Sequence, residues 1–210
     1  VQGEGGVFVP DAEYLAAVRQ ICTEADALLI IDEVQTGIAR TGPWLASVGE
    51  GVIGDVITLA KGLGGGLPIG ACLATEEAAR GMVIGTHGST YGGNPLGCAV
   101  ASAVLDEVAA PEFLAEVSRK AGALRQGLEG LVAQYPDVFD SVTGAGLMLG
   151  LKCKASNMDV VTAGYDCEVL TVPAAENVVR VLPALTISNA EIAQALERLE
   201  TVAQTVQSAQ

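Results

Sequence analysis

The chain has 210 residues, of which half are apolar and 17% are charged, so it can bury a substantial core and is not expected to be disordered. Its formal net charge of −14 argues against a nucleic-acid partner, because phosphate backbones are bound by clusters of lysine and arginine. No apolar run is long enough to span a bilayer, and the N-terminus lacks a signal-peptide pattern, so no membrane association is expected.

The first elements in chain order alternate between helix and strand. Residues 1–6 are typical of the interior of a loop, which predicts that the chain is part of a longer one. Pro10 then opens a pattern with an apolar stripe at helical spacing. The runs at residues 27–35 and 55–61 each contain consecutive Leu, Ile or Val residues rather than an alternating pattern, which predicts two buried strands of an α/β sheet.

The following stretch carries two glycine-rich loops. The first, at residues 62–68, lets the backbone pass close to a ligand. A third strand is predicted over residues 68–75 and a short helix over residues 76–80. The second loop, at residues 86–95, is rich in hydroxyl groups and ends at a proline that predicts the first turn of a helix over residues 96–109.

The second half of the chain has a different order of elements. An amphipathic helix is predicted over residues 112–134, and strands within residues 138–154 are broken by Gly144 and Gly146. Further short strands are predicted at residues 167–172 and 178–182. A Ser-x-x-Glu capping box at residues 188–191 predicts the start of a final helix over residues 192–206.

The proline at position 111 divides the chain into two predicted domains. We expect an α/β domain over residues 1–110 and a smaller α+β domain over residues 111–210. The five cysteines are widely spaced and His87 is the only histidine. That pattern indicates free thiols in a reducing cytoplasm, and it gives a metal cluster or a histidine-based triad little to build on.

Asp32 and Lys61 end the two apolar runs, which predicts a carboxylate and an amine at one edge of the sheet. Ligands of open α/β sheets bind outside the carboxyl ends of the strands. Burial of a strand-end lysine favours its neutral amine, which can form a Schiff base, and a carboxylate is the partner that a pyridinium nitrogen requires. The pair therefore suggests pyridoxal phosphate (PLP), and the hydroxyl groups of Ser89 and Thr90 suggest a phosphate-binding loop.

Simpler interpretations stay open from these residues alone. A strand-end lysine is commonly solvated, and an aspartate after an apolar run is commonly a turn former or a helix cap. The glycines do not match a nucleotide loop, because Leu67 stands where G-x-G-x-x-G requires glycine and Lys61 precedes the glycines. A phosphate-binding module without a covalent cofactor would need neither Lys61 nor Asp32.

Four motifs resemble those of class III PLP-dependent aminotransferases, in the family's order and at its spacing. They are Q-G-E-G-G, I-D-E-V-Q-T-G, A-K-G-L-G-G-G and H-G-S-T-Y-G-G-N-P, at residues 2–6, 31–37, 60–66 and 87–95. Within the class, the similarity is greatest to the acetylornithine aminotransferases at residues 71–77, 85–90 and 177–185. The resemblance implies fold type I, with the chain holding part of the large mixed-sheet domain and the small α+β C-terminal domain.

The resemblance also implies a role for each matching residue around the cofactor. Lys61 would carry PLP covalently and move a proton during the reaction, while Asp32 would pair with the pyridinium nitrogen. Val34 would pack against one face of the ring, and Gln35 would hydrogen-bond to the cofactor's 3′-oxygen. Thr90 would reach the cofactor phosphate in the neighbouring subunit, which implies a homodimer.

Two further residues would bind substrate. Arg180 would hold the α-carboxylate of glutamate and 2-oxoglutarate, and Glu4 would pair with this arginine when an ω-amine occupies the site. The implied reaction converts N-acetylornithine, the amino donor, and 2-oxoglutarate to N-acetylglutamate 5-semialdehyde and glutamate, a step of arginine biosynthesis. The alternatives are an ornithine or other ω-amino-acid aminotransferase, and a non-catalytic fragment that keeps the fold.

The chain departs from the family pattern in several places. Ala39 stands where many relatives have glycine, and Gly54 replaces a common proline. Residues 152–167 look too short for a helix that many relatives have. Relatives are also longer at the N-terminus, where they carry a second phosphate-binding loop, an aromatic residue that stacks on the cofactor and an arginine for the acetylornithine carboxylate. We therefore expect the chain to be inactive alone.

Overall fold

The computed structural model describes residues 1–209, which form two compact units. The first unit is Pro10–Leu114, and the second unit is Val1–Val9 together with the residues from Ala115 onward. This division differs from the predicted one chiefly at the start of the chain, where residues 1–9 belong to the second unit. As domain limits of the whole protein, residues 1–110 and 111–210 stay a prediction.

The first unit is built on a mixed three-stranded sheet. Its strands, in the order β1-β2-β3, are β1 (Ile30–Asp32), β2 (Val56–Leu59) and β3 (Ala71–Ala74). β1 and β2 are parallel, with Asp32 opposite Thr58, and β3 runs antiparallel to β2. The helices are α1 (Tyr14–Glu24), α2 (Ala46–Gly49) and α3 (Pro95–Val108), with 3-10 turns at Lys61–Gly64 and Ala78–Gly81. The three predicted strands are confirmed, although each is shorter than its apolar run.

The expectation that the first strand is buried is wrong for this chain. Leu28 and Ile30 expose 54% and 63% of their surface, whereas Leu29 between them is buried. The reason is that, among residues 1–209, β1 is an edge strand that pairs with β2 alone. A continuous apolar run is buried on both faces only where other elements cover it.

The second unit contains a four-stranded antiparallel sheet in the order β4-β5-β7-β6. The strands are β4 (Phe139–Ala145), β5 (Met148–Cys153), β6 (Val172–Ala174) and β7 (Val178–Val181). The helices are α4 (Pro111–Gln134), of which all but the first residues belong to this unit, α5 (Asn157–Asp166) and α6 (Asn189–Ser208). Its core is formed by fully buried side chains that include Leu124, Leu128, Phe139, Leu149, Leu151 and Leu199.

Two predictions for this unit are wrong. Residues 152–167 do have room for a helix, because α5 occupies most of them and is capped by the Ser156 side chain, which accepts from the Asp159 N–H. The Asn157 side-chain amide holds α5 to the sheet by donating to the carbonyl oxygens of Ala174 at 3.0 Å and Val178 at 3.1 Å. The strand predicted at 167–172 begins only at Val172, because a turn follows α5.

Residues 1–9 attach to the second unit through both backbone and side chain. An antiparallel bridge between Gln2 and Phe8 closes this segment on itself, and its Glu4 carbonyl accepts a hydrogen bond of 2.9 Å from the Ala175 N–H. Val7 is fully buried and packs in a cluster with Met148 and Val178.

The capping box predicted for the last helix is confirmed. The Ser188 hydroxyl accepts from the Glu191 N–H at 3.2 Å, and the Glu191 carboxylate accepts from the Ser188 N–H at 2.7 Å. These bonds keep the pKa of Glu191 below its usual value, chiefly through the Ser188 N–H. Of the helices that residues 1–209 form, none is both long and apolar enough to cross a membrane.

Asp55 connects the start of β2 to the segment that leads into β1. Its Oδ2 atom accepts from the Leu29 N–H at 2.7 Å and from Arg19 Nη1 at 2.7 Å. The bond from Leu29, followed by that from Arg19, lowers the pKa of Asp55. The folded state therefore favours the charged carboxylate, so this contribution to stability is present above the unfolded pKa and is lost as pH falls through the folded pKa.

We expect the variant Asp55→Asn to be less stable than the parent protein at about pH 7 and to lose less stability on acidification, because it lacks this titrating group. Thermal unfolding of both proteins between about pH 7 and pH 3 measures the effect. The difference between their midpoints should shrink as the pH falls below about 4. A difference that stays constant over this range would contradict the role assigned to the carboxylate.

Candidate active site

The parallel pairing of β1 and β2 places two of the predicted site residues at one edge of the sheet. Asp32 is the last residue of β1 and lies opposite Thr58 of β2. Lys61 follows the end of β2 by two residues and begins the 3-10 turn Lys61–Gly64. Carboxyl ends of parallel strands are the positions at which α/β proteins bind ligands.

The Asp32 carboxylate is held in a fixed orientation. Its Oδ1 atom accepts hydrogen bonds from the Thr58 hydroxyl at 3.1 Å and from the Val34 N–H at 2.9 Å. Both bonds go to the same oxygen, which leaves Oδ2 for a further donor. An anion that is oriented in advance and exposed at a strand end is suited to bind a cationic ring nitrogen.

Lys61 has an unusual backbone conformation. Its φ angle is +47°, in the left-handed region, and the preceding Ala60 is fully extended. A non-glycine residue in this region costs roughly 1–2 kcal/mol, and such residues often cluster at functional sites. The Lys61 side chain is exposed, so the burial that the sequence predicted for this amine is not found in residues 1–209. The glycines that follow it have no side chains that could cover it.

The hydroxyl-rich loop lies on the surface of the first unit. The Ser89 hydroxyl accepts from the Gly92 N–H at 2.8 Å, and the Asn94 side chain caps α3 by accepting from the Gly97 N–H at 2.8 Å. Thr90 is exposed. Within residues 1–209, neither Ser89 nor Thr90 hydrogen-bonds to Asp32 or Lys61. Phosphate binding by these two hydroxyl groups therefore stays a prediction.

The two predicted substrate residues lie in the second unit. Arg180 belongs to β7, where it pairs with Gly150 of β5 and Val172 of β6. Its Nη2 atom donates weakly to the Pro173 carbonyl at 3.4 Å, and its Nε atom is buried with no hydrogen-bond partner among the described residues. An unsatisfied guanidinium N–H is costly, and a carboxylate would satisfy it. Glu4 is exposed and forms no ion pair with Arg180 in the described part of the chain.

The structure gives a physical reason for the glycine that many relatives have at position 39. Ile38 and Ala39 are both buried and have φ angles of 56° and 62°. Glycine adopts this conformation without steric cost, whereas alanine does so at a cost of roughly 1–2 kcal/mol. The glycine of the family pattern therefore fits the loop better than the alanine of this chain does.

One residue of this site was missed by the sequence analysis. Glu33, next to Asp32, is only 1% exposed and is hydrogen-bonded through both carboxylate oxygens. The sequence did offer a sign of this role, because an acidic side chain inside an apolar run is either exposed to solvent or buried with hydrogen-bond partners. The run alone does not distinguish these two cases, since the partners of Glu33 include a residue 14 positions away.

The family model for Aminotransferase class-III matches residues 1–203. The chain belongs to the class III aminotransferase family. Among curated relatives, the acetylornithine aminotransferase of Rhodobacter capsulatus is 57% identical over 99% of this chain and 53% of its own length. That of Mesorhizobium japonicum is 51% identical over 95% of this chain and 50% of its own length. The chain thus spans about half the length of these relatives.

Solved structures agree with the fold. The chain superimposes on N-acetylornithine aminotransferase from Stenotrophomonas maltophilia with a TM-score of 0.90 and 38% identity, covering 100% of this chain and 56% of the other. For ornithine aminotransferase from Toxoplasma gondii the TM-score is 0.93, with 32% identity over 100% of this chain and 51% of the other. The predicted fold type I is confirmed, and PLP is the cofactor of the family.

The residues present fit that cofactor. Asp32 offers an oriented carboxylate whose Oδ2 atom is not engaged by its two donors. Lys61 offers an exposed amine at the neighbouring strand end. PLP requires a carboxylate that accepts from its ring N–H and an amine that attacks its carbonyl carbon.

Proposed function

We propose that the whole protein transfers the amino group of N-acetylornithine to 2-oxoglutarate, giving N-acetylglutamate 5-semialdehyde and glutamate in arginine biosynthesis. The observation that carries the proposal is the position of Asp32 and Lys61 at the ends of two paired parallel strands. The chain that holds them is 57% identical to a curated acetylornithine aminotransferase.

Each residue of the strand-end site has a task in this proposal. PLP, when bound, supplies the electron sink that makes the substrate Cα proton acidic. The Nζ atom of Lys61 attaches the cofactor and then moves a proton to and from the substrate carbon. Asp32 keeps the ring nitrogen protonated through Oδ2. Val34 packs on the ring, and the side chain of Gln35 donates a hydrogen bond to the 3′-oxygen.

The two proposed substrate residues, Arg180 and Glu4, act through their charges. Arg180 binds the α-carboxylate of glutamate and 2-oxoglutarate, and the unpartnered Nε of its guanidinium supports this assignment. Glu4 is the anion that neutralises Arg180 when the other substrate is bound. Because Glu4 is exposed and lies in a glycine-rich segment, it can move without disturbing a packed core.

We further propose a homodimer in the cytoplasm, in which Thr90, with Ser89 beside it, contacts the cofactor phosphate of the other subunit. The support is a group of exposed apolar side chains around this loop, namely Met82, Val83, Ile84, Tyr91 and Leu96. Several large apolar residues exposed in one stretch are typical of a protein interface.

A second candidate is an aminotransferase for ornithine or another ω-amine. The similarity to the Toxoplasma gondii ornithine aminotransferase structure favours it, but at 32% identity this is weaker than the 57% of the acetylornithine relative. A non-catalytic fragment is the third candidate, and the joint presence of Lys61, Asp32 and Arg180 argues against it.

Glutamate production by the PLP-loaded whole protein tests the proposal, with N-acetylornithine and ornithine compared as amino donors and the 210-residue chain assayed in parallel. We expect a higher kcat/KM with N-acetylornithine and no turnover by the chain alone. A preference for ornithine would favour the second candidate. No glutamate from either donor, in folded and loaded protein, would rule out the transaminase proposal.

The variant Asp32→Asn is expected to lower kcat/KM by about 10²–10⁴-fold, because removing one partner of an ion pair that the bound cofactor shields from water costs about 3–5 kcal/mol. The matched control is Thr58→Val, which removes only one hydrogen bond to Oδ1 and should cost about tenfold or less. Steady-state kinetics at saturating PLP measure both variants. Equal losses for the two would argue against a pairing role for Asp32.

A further inference from the structure

Glu33 is a fully buried acid that none of the assigned roles uses. Its Oε1 atom accepts a hydrogen bond of 2.7 Å from the Ser47 N–H, and its Oε2 atom accepts one from the Thr36 hydroxyl. A buried carboxylate is strongly destabilising unless its oxygens are satisfied, so these bonds are needed to keep Glu33 inside. The side chain therefore joins two parts of the loop that follows β1.

The backbone of Glu33 makes two more connections. Its N–H donates to the Thr58 carbonyl of β2 at 3.0 Å, and its carbonyl accepts from the Gly37 N–H at 2.9 Å. A Cβ atom on Gly37 would lie 2.9 Å from that carbonyl oxygen, so the turn closes too tightly for a larger residue. Val34 and Gln35, the two residues assigned to the cofactor ring, lie inside this turn.

The bond to Ser47 fixes the far end of the loop. Ser47 lies in the first turn of the short helix α2, where an N–H has no partner within the helix. Glu33 supplies that partner across 14 residues of sequence. The intervening segment includes Ile38 and Ala39 in the left-handed conformation, which is unfavourable for residues other than glycine. Contacts with other parts of the chain are therefore needed to hold this segment in its conformation.

We propose that Glu33 is a positioning residue for the cofactor-binding turn formed by Val34 and Gln35. This inference rests on the proposed function, because it assumes that the turn faces PLP. Glu33 acts on that turn from its buried side. It also acts on Asp32 indirectly, since the Val34 N–H that the turn presents is one of the two donors to Asp32 Oδ1.

Three variants of Glu33 and one control distinguish a positioning role of this residue from a contribution to the stability of the fold alone. Glu33→Ala removes both acceptors, and Glu33→Asp keeps the charge but shortens the reach. Glu33→Gln can accept from the Ser47 N–H through its amide oxygen and donate to the Thr36 hydroxyl, so it should retain the geometry. The matched control is Asp55→Ala, which also deletes a carboxylate that accepts a 2.7 Å bond from a backbone N–H, but next to the other end of β2.

The test has two readouts, both recorded below the unfolding transition of each variant. The first is the PLP dissociation constant of the whole protein. The second is the emission of Trp44 in the 210-residue chain without cofactor, in which it is the only tryptophan. Trp44 lies in the loop that Glu33 ties down, where its carbonyl accepts from the Ala39 N–H.

We expect Glu33→Ala, or Glu33→Asp if the alanine variant does not fold, to weaken PLP binding by about tenfold or more and to shift Trp44 emission to the red. Glu33→Gln should bind PLP within about threefold of the parent protein, and its Trp44 emission should lie at the parent wavelength. Asp55→Ala should lower the unfolding temperature without changing either readout.

The inference is overturned if Glu33→Ala and Asp55→Ala change PLP affinity equally, or if neither Glu33→Ala nor Glu33→Asp moves Trp44 emission. Failure of the proposed function is a separate result, because the parent protein would then produce no glutamate whether or not it binds PLP. The Trp44 readout would still decide whether Glu33 holds the loop.

Discussion

Replacing Lys61 with alanine is expected to abolish covalent attachment of PLP and to lower kcat/KM by at least about 10³-fold. Two functions are lost together, since the same Nζ atom holds the cofactor and moves the substrate proton. The remaining contacts to the ring and the phosphate should still bind PLP non-covalently. Absorbance spectroscopy and the glutamate assay on the whole protein measure the two losses.

The control for this variant is Lys154→Ala, which removes an exposed lysine between β5 and α5 of the second unit. It should leave the visible spectrum and kcat/KM unchanged within about twofold, as surface substitutions do. Residual activity of Lys61→Ala within about tenfold of the parent protein would show that another group moves the proton.

The variant Gly144→Ala is expected to destabilise the second unit by roughly 3 kcal/mol or more. Gly144 lies in β4 with a φ angle of +99°, and a Cβ atom there would lie 2.0 Å from the Met148 carbonyl oxygen and 2.9 Å from Val7 Cγ1. The clash is with backbone on one side and with a fully buried side chain on the other, so neither neighbour can move easily. Urea unfolding measures the change.

The matched control is Gly122→Ala, since Gly122 lies within α4 and a Cβ atom would meet nothing within 4 Å. Alanine at such a helical position should raise the free energy of unfolding by about 0.5–1 kcal/mol. If Gly144→Ala proved as stable as the parent protein, the tight pairing of β4 and β5 at this position would be wrong.

The elements that sequence reasoning predicted correctly depend on neighbouring residues in the chain. The capping box of Ser188 and Glu191 forms within one helical turn. The two strand ends at Asp32 and Lys61 follow directly from apolar runs of strand length. In each case the pattern and the structure span the same few residues, so the pattern was sufficient.

The elements that were missed depend on distant parts of the chain. Leu28 and Ile30 are exposed because β1 is the edge strand of its sheet in the described residues, and the sequence of β1 does not encode its place in the sheet. Residues 1–9 join the second unit because Val7 packs on Met148 and Val178, more than 140 positions away by residue number. The role of Glu33 depends on Ser47, and α5 depends on an anchor between Asn157 and the sheet.

The candidate site divides in the same way. Val34, Gln35 and Thr90 were found through motifs, and their contacts with the cofactor stay a prediction. The exposed amine of Lys61 was not expected, because its burial had been inferred from the apolar run that precedes it. Sequence motifs thus identified the chemical groups, whereas solvent exposure required the three-dimensional structure.

The most direct test of the strand-end site is titration of the whole protein with PLP, followed by borohydride reduction and peptide mass mapping, with the 210-residue chain treated in parallel. Reduction makes the link between lysine and cofactor permanent, so the modified peptide identifies the lysine. We predict that the label lies on Lys61. A label on Lys120, Lys152 or Lys154 with Lys61 unmodified would contradict it.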